Sequence, residues 1–266
     1  MTEKIRILFL SANPWSTSRI LVDEEAREIF ERLQEGPHRC RFELYNHAAT
    51  RPIDLQKLLL LYRPHIVHFS GHGNKKQHLI LGGTPGRGKT VDRQGLVGLF
   101  ALHKSHLRLV LLNACFTKVQ ARLISEVIDY AVGTGKGIGD KAGVAFAGAF
   151  YRALGFGSSI TDAFDSAKAE LALTKMPRTH GFELFVREGL REVDRFPRFD
   201  TNPEIKQQTL NSCFIFKETE ETAEYEITIF GRSSSTRFSR KRVWSKVITK
   251  SAPGVNLPAR EVRPTE

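Results

Sequence analysis

RLVLLNAC, residues 108–115, is the stretch on which the fold turns. After Arg108 it runs from Leu109 to Leu112 without a polar side chain, then ends on Asn113, Ala114 and Cys115. A run that is apolar on both alternating faces fits a strand covered on both sides, as in a parallel sheet flanked by helices. HIVHFSGHG, residues 65–73, has the same character and ends on Gly71-His72-Gly73. Between and around these two runs, strand-like and helix-like patterns alternate. KIRILFLSA (4–12) reads as a buried first strand and RFELYNHA (41–48) as an alternating one. From Leu21 to Leu33 the positions Ala26, Ile29, Phe30 and Leu33 recur at helical spacing, with Ser18 nearby as a candidate cap. DLQKLLLLY (54–62), a segment around Leu96–Leu102, one from about Thr117 to Ile128, and two around Phe146–Leu154 and Ile160–Leu173 read as further helices. YAVG (130–133) and FELFV (182–186) complete the strands. The expected fold is α/β, a mostly parallel sheet with helices on both faces, in one domain over residues 1–193.

Past that point the composition changes. DRFPRFDTNPE (194–204) reads as a linker, the acidic ETEETAEYE (218–226) follows, and GRSSSTRFSRKRVWSK (231–246) is basic with no acid in it. CFIF (213–216) and YEITIF (225–230) are candidates for a hairpin. Residues 194–266 are read as a small β-rich or partly disordered appendage. Its run from Arg232 to Lys250, with Phe238 and Trp244 among the charges, reads either as a grip for nucleic acid or another acidic partner, or as a solvated face.

The bulk numbers narrow the function classes. The chain has 266 residues, 41% of them hydrophobic and 26% charged, and a formal net charge of +11. That excess favours an acidic contact and says nothing of fold. No apolar run approaches the ~18 residues of a membrane-spanning helix. ILFL near the N-terminus is too short for the apolar core of a secretory signal, ~7–15 residues. Cys40, Cys115 and Cys213 are too scattered for a disulfide framework or a zinc site, which fits a reducing cytoplasm.

One motif invites a nucleotide. HLILGGTPGRGKTVD (78–92) holds Gly83, Gly88, Lys89 and Thr90 in the G-x-x-x-x-G-K-T spacing of a phosphate-binding loop. Such a loop needs a long buried strand before it and a helix beginning at the Gly-Lys-Thr. Here only Leu79, Ile80 and Leu81 precede it, and Asp92 is placed to cap a helix that starts two residues late. A hairpin between two short strands is the expected structure.

The stronger chemistry lies at the two strand ends. In open parallel sheets, functional groups collect beyond the carboxyl ends of the strands. His72 and Cys115 occupy such ends, with room between them for a hairpin and one crossover helix, so a thiol and an imidazole are expected side by side. Gly71 and Gly73 allow a sharp turn around His72. The backbone N–H groups of Gly73 and Cys115 are candidates to face an oxyanion, and a helix starting near Thr117 would favour the thiolate. His68 shares strand parity with His72 and is expected to pack beneath the site.

With those residues in view, HFSGHG followed by VLLNAC resembles the CHAT domain, a caspase-like bacterial relative of caspases and separase. ANPWSTSRILVDEEAREI (12–29) is similar to that family's first loop and helix, and residues 138–171 to its late helices. The resemblance spans roughly residues 4–190. It implies a caspase-like sheet and a cysteine endopeptidase that cleaves protein or peptide substrates through a thioester. His72 would be the acid–base and Cys115 the nucleophile, with no metal or organic cofactor. It further implies an effector in bacterial defence or regulated death, controlled by a sensor or adaptor. Asp140 matches the place after the fifth strand where separase-like relatives hold an acidic residue, so it would face a basic P1 side chain, or else simply cap the helix that begins there. Arg19, in the first loop, would instead face an acidic P1, as arginine does in caspases. A non-catalytic scaffold and a nucleotide-binding protein are the alternatives.

Overall fold

The strand built on RLVLLNAC lies deep in an eight-stranded sheet. The computed structural model describes residues 4–14, 16–18, 20–83, 87–174, 181–191, 196–197, 215–218 and 247–249. In chain order, the strands are β1 (Ile5–Ser11), β2 (Phe42–His47), β3 (Ile66–Ser70), β4 (His72–Gly73), β5 (Leu79–Gly82), β6 (Gly88–Thr90), β7 (Leu109–Asn113), β8 (Tyr130–Thr134), β9 (Phe182–Val186), β10 (Ile215–Glu218) and β11 (Val247–Thr249). The helices are α1 (Val22–Glu35), α2 (Asp54–Tyr62), α3 (Arg93–Ala101), α4 (Lys118–Ile124), α5 (Asp140–Gly155) and α6 (Ile160–Leu173). The main sheet runs β11-β10-β2-β1-β3-β7-β8-β9. The run from β2 to β8 is parallel throughout, and β9 returns antiparallel to β8.

Both faces of this sheet are covered, which explains why its inner strands are apolar at nearly every position. Every residue of β3, β7 and β8 is buried. Alternate side chains divide between two cores. Phe9, Ile66, Leu111 and Val132 join α1, α5 and α6 on one face. Leu8, Val67, Leu112 and Ala131 join α2, α3 and α4 on the other. The strand order reverses direction between β1 and β3, the place where such sheets open a crevice.

The helix boundaries differ from expectation in two places, each for a local reason. α1 starts at Val22 with Leu21 at its N-cap and no side-chain cap bond. Ser18 lies too far upstream to reach the first turn, since a cap side chain serves only the second or third helical N–H. α4 starts where expected, with Thr117 at its N-cap and the Thr117 hydroxyl turned back onto the carbonyls of Leu112 and Ala114, but it ends at Ile124, short of the 117–128 pattern. After Ile124 the chain tightens into turns, with Val127 N bonded to Ile124 O at 3.1 Å.

Gly88–Thr90 pairs back on Leu79–Gly82 as the two arms of a hairpin. β4, β5 and β6 form a separate antiparallel sheet in which Leu81 pairs with Lys89 and Gly82 with Gly88. α3 begins only at Arg93, capped by Asp92, whose Oδ2 accepts from Gly95 N at 2.7 Å. Residues 84–86 lie outside the described residues.

β10 and β11 come from the 194–266 stretch and extend the main sheet beyond β2, with β10 parallel to β2 and β11 antiparallel to β10. The antiparallel partner of the CFIF region is therefore Val247–Thr249, while Tyr225–Phe230 lies outside the described residues. So does the basic run, apart from β11. No described helix is long and apolar enough to cross a membrane.

Candidate active site

Beyond the carboxyl ends of β1, β3 and β7 opens a cavity of about 240 Å³. His72 and Cys115 both line it, with Ser18, Glu25, Ser70 and Asn113 among their neighbours and Asp140 on its wall. β3 and β7 are register-paired through Ser70 and Asn113, so the two chains leave the sheet together and carry His72 and Cys115 to the same mouth. Gly73 makes their approach feasible. A Cβ there would lie 1.8 Å from the Cys115 carbonyl oxygen, so only glycine fits.

The ring of His72 is half-buried. Its pKa is lowered from the usual 6.5 because burial disfavours the cation, while a hydrogen bond to the Ser18 backbone and the charge of Asp140 oppose that shift. His72 Nε2 is buried and has no hydrogen-bond partner. The Ser18 backbone beside the ring favours a proton on His72, and Nε2 is the ring nitrogen left without a partner. An unpartnered ring nitrogen is what a general base requires.

The Cys115 thiol, also half-buried, points at a different group. Its Sγ lies 3.9 Å from the Ile138 carbonyl oxygen, and no hydrogen bond joins it to His72. The segment between β8 and α5 carries that carbonyl, and a Cβ on Gly137 would sit 4.0 Å from Sγ. Cys115 occupies a turn ahead of α4, followed by Phe116 at φ 57°. No described protein group accepts a hydrogen bond from the Cys115 N–H.

Asp140 is the first residue of α5 and is exposed on the cavity wall, with Gly139 rather than Asp140 at the N-cap. It is not the buried carboxylate that a closed specificity pocket would hold, and it reaches His72 through its charge. Arg19 lies outside the described residues.

A buried polar network beneath the cavity had not been expected from the sequence. Glu25 accepts from His68 Nε2 at 2.6 Å, from Ser70 Oγ at 2.6 Å and from Asn113 Nδ2 at 2.5 Å. His68 is fully buried, stacks on Phe9 at 5.1 Å, and meets the Tyr151 hydroxyl at 3.2 Å. One signal in the sequence does mark Glu25. It falls on the buried stripe of α1 with Val22, Ala26, Ile29 and Leu33, where a carboxylate is costly unless partnered.

Comparison with known proteins adds the following. The family model for the CHAT domain matches residues 11–248. A protein of Gillisia limnaea named "Probable protease" is 25% identical over 154 residues, covering 56% of this chain and 26% of that protein. A "Roc-COR-CHAT protease" from an unknown prokaryotic organism is 24% identical over 179 residues, covering 65% of this chain and 17% of that protein. The chain therefore matches about a quarter or less of the length of these relatives. Among solved structures, the Arg-specific cysteine proteinase gingipain R is similar with a TM-score of 0.49 at 9% identity, over 70% of this chain and 46% of that one.

Proposed function

The chain belongs to the CHAT domain family, and from that premise we propose that it is a cysteine endopeptidase with Cys115 as nucleophile and His72 as acid–base. The observation that carries this reading is the shared cavity, where an unpaired, buried imidazole nitrogen and a thiol line one space. In the reaction, His72 Nε2 takes the proton of Cys115 Sγ, and the thiolate adds to the scissile carbonyl carbon. The N–H groups of Gly73 and Cys115 receive the oxyanion. The C–N bond then breaks, Nε2 gives its proton to the leaving amine, and a thioester remains on Sγ. Water, deprotonated by Nε2, attacks the thioester, releasing the acid product and restoring the thiol. This chemistry calls for no metal or organic cofactor.

The cavity's charge supports a cationic P1 side chain, arginine or lysine. Its described lining includes the carboxylates of Glu25 and Asp140 and no Lys or Arg. Glu25 already accepts three hydrogen bonds, so Asp140 is the carboxylate open to a substrate. An acidic P1 would instead require Arg19. The Ile138 carbonyl beside Sγ supports a resting form that substrate or an activating protein rearranges. That suits a cytoplasmic effector of bacterial defence or regulated death, switched by a sensor or adaptor.

The test is labelling by acyloxymethyl-ketone probes carrying Arg, Lys or Asp at P1. Strong labelling by the Arg and Lys probes, lost in Cys115→Ala and sharply reduced in His72→Ala, is expected. Labelling that survives Cys115→Ala overturns the peptidase reading. A preference for the Asp probe moves P1 recognition from Asp140 to Arg19. A scaffold predicts no labelling by any probe.

A further inference from the structure

The proposed dyad hangs from two strand ends, and one carboxylate ties those ends together. Glu25 lies on the inward face of α1 and is 4% exposed. On β3 it holds His68 and Ser70, and on β7 it holds Asn113. Ser70 and Asn113 are the last register pair of β3 with β7. Two residues further along each chain stand His72 and Cys115. Beyond that last pair the backbone linkage weakens, with Gly71 N reaching Asn113 O at 3.3 Å. The carboxylate thus takes over where the ladder between the two strands ends.

The network is directional. Burial and the nearby charge of Glu25 hold the Tyr151 phenol well above its ordinary range, so it keeps its proton. That O–H serves His68 Nδ1, which leaves the Nε2–H for Glu25. Tyr151 belongs to α5, so α1, β3, β7 and α5 all meet at Glu25 or one bond from it. The described hydrogen bonds of Glu25 go to His68, Ser70 and Asn113 and not to His72 or Cys115, so it acts on the dyad through the strand ends it holds.

We infer that Glu25 is a positioning residue that holds the ends of β3 and β7 at the separation His72 and Cys115 need to work as a pair. The inference rests on the dyad reading given above. The general ground is that a small displacement of reacting groups costs far more rate than stability.

The experiment measures the pH dependence of iodoacetamide alkylation at Cys115 in the full chain, read on the Cys115 peptide by mass spectrometry. It is run on wild type, His72→Ala, Glu25→Ala and Glu25→Gln, with thermal melts alongside. The wild-type profile should contain a component that His72→Ala removes. Glu25→Ala should lose that same component while still melting cooperatively. Glu25→Gln should retain it, because its amide oxygen can still accept from His68 and Asn113. If Glu25→Ala does not fold, the double variant Ser70→Ala/Asn113→Ala is judged by the same criterion. A Glu25→Ala protein with a lower melting temperature and the wild-type profile overturns the inference and leaves the dyad reading intact. If the wild-type and His72→Ala profiles coincide in the resting chain, the same variants are judged by the rate of Cys115 labelling with the Arg acyloxymethyl ketone. If His72→Ala leaves that rate unchanged too, the dyad reading fails and the inference falls with it.

Discussion

At the scale of the residue, the decisive features are an imidazole nitrogen without a partner and a thiol turned to a loop carbonyl. His72 lines the cavity beside the Ser18 backbone, and its Nε2 is buried and unpaired. Burial lowers its pKa from 6.5, so the neutral, base-competent form dominates at neutral pH. The acid limb of Cys115-dependent kcat/KM should therefore lie below the usual histidine range. Asp140 opposes that shift by favouring the cation, so removing its charge lowers the His72 pKa further. Asp140→Asn should move the acid limb to lower pH, and it should raise KM for Arg and Lys substrates more than it lowers kcat. A pH–rate profile checks both, and a limb that moves to higher pH would contradict the assigned sign. The meeting of His72 and Cys115 at one mouth was legible in the sequence because each stands two residues past an unmistakable buried strand. Glu25 was harder to find, because its meaning depends on which side chains face it from β3 and β7.

At the scale of the element, the hairpin over residues 79–90 separates a spelling from a structure. The G-x-x-x-x-G-K-T letters are present, yet Gly88–Thr90 is a strand paired with β5, and α3 starts after it at Arg93. Without a helix N-terminus at the Gly-Lys-Thr, the described residues lack the converging N–H groups on which a phosphate-binding loop relies. Wild type and Lys89→Ala should both show no shift in melting temperature with millimolar ATP. Asp92 matters more to this element than Lys89 does. Its carboxylate caps α3 through Gly95 N, so Asp92→Ala should cost about 1 kcal/mol in urea unfolding, whereas Lys89→Ala, at an exposed position, should stay within about 0.5 kcal/mol of wild type. The position of the Asp92 cap was readable from sequence. Ser18 does not cap α1, and its backbone lies instead beside a residue more than fifty positions away.

At the scale of the whole molecule, two cores clamp one sheet, and the cavity opens where the strand order reverses. Phe146 shows how closely the face of α1, α5 and α6 is packed. It is fully buried and stacks on Phe182 of β9 with ring centroids 3.8 Å apart, and it meets Phe164 of α6 edge-on. Phe146→Ala should cost about 3–5 kcal/mol, a large part of the 5–15 kcal/mol typical of a folded domain, and calorimetry or urea titration measures it. The sequence by itself determined the α/β alternation, the buried strands and the two strand ends that bear an imidazole and a thiol. These follow from hydrophobic period and turn chemistry, which act over a few residues. Only the tertiary structure decided that Ser18 lies beside His72, that Ile138 lies against the thiol, that Asp140 stands exposed on the wall, and that Glu25 ties β3 to β7. Each is a contact between segments far apart in the chain, and its partner is chosen by strand order and packing rather than by any local pattern.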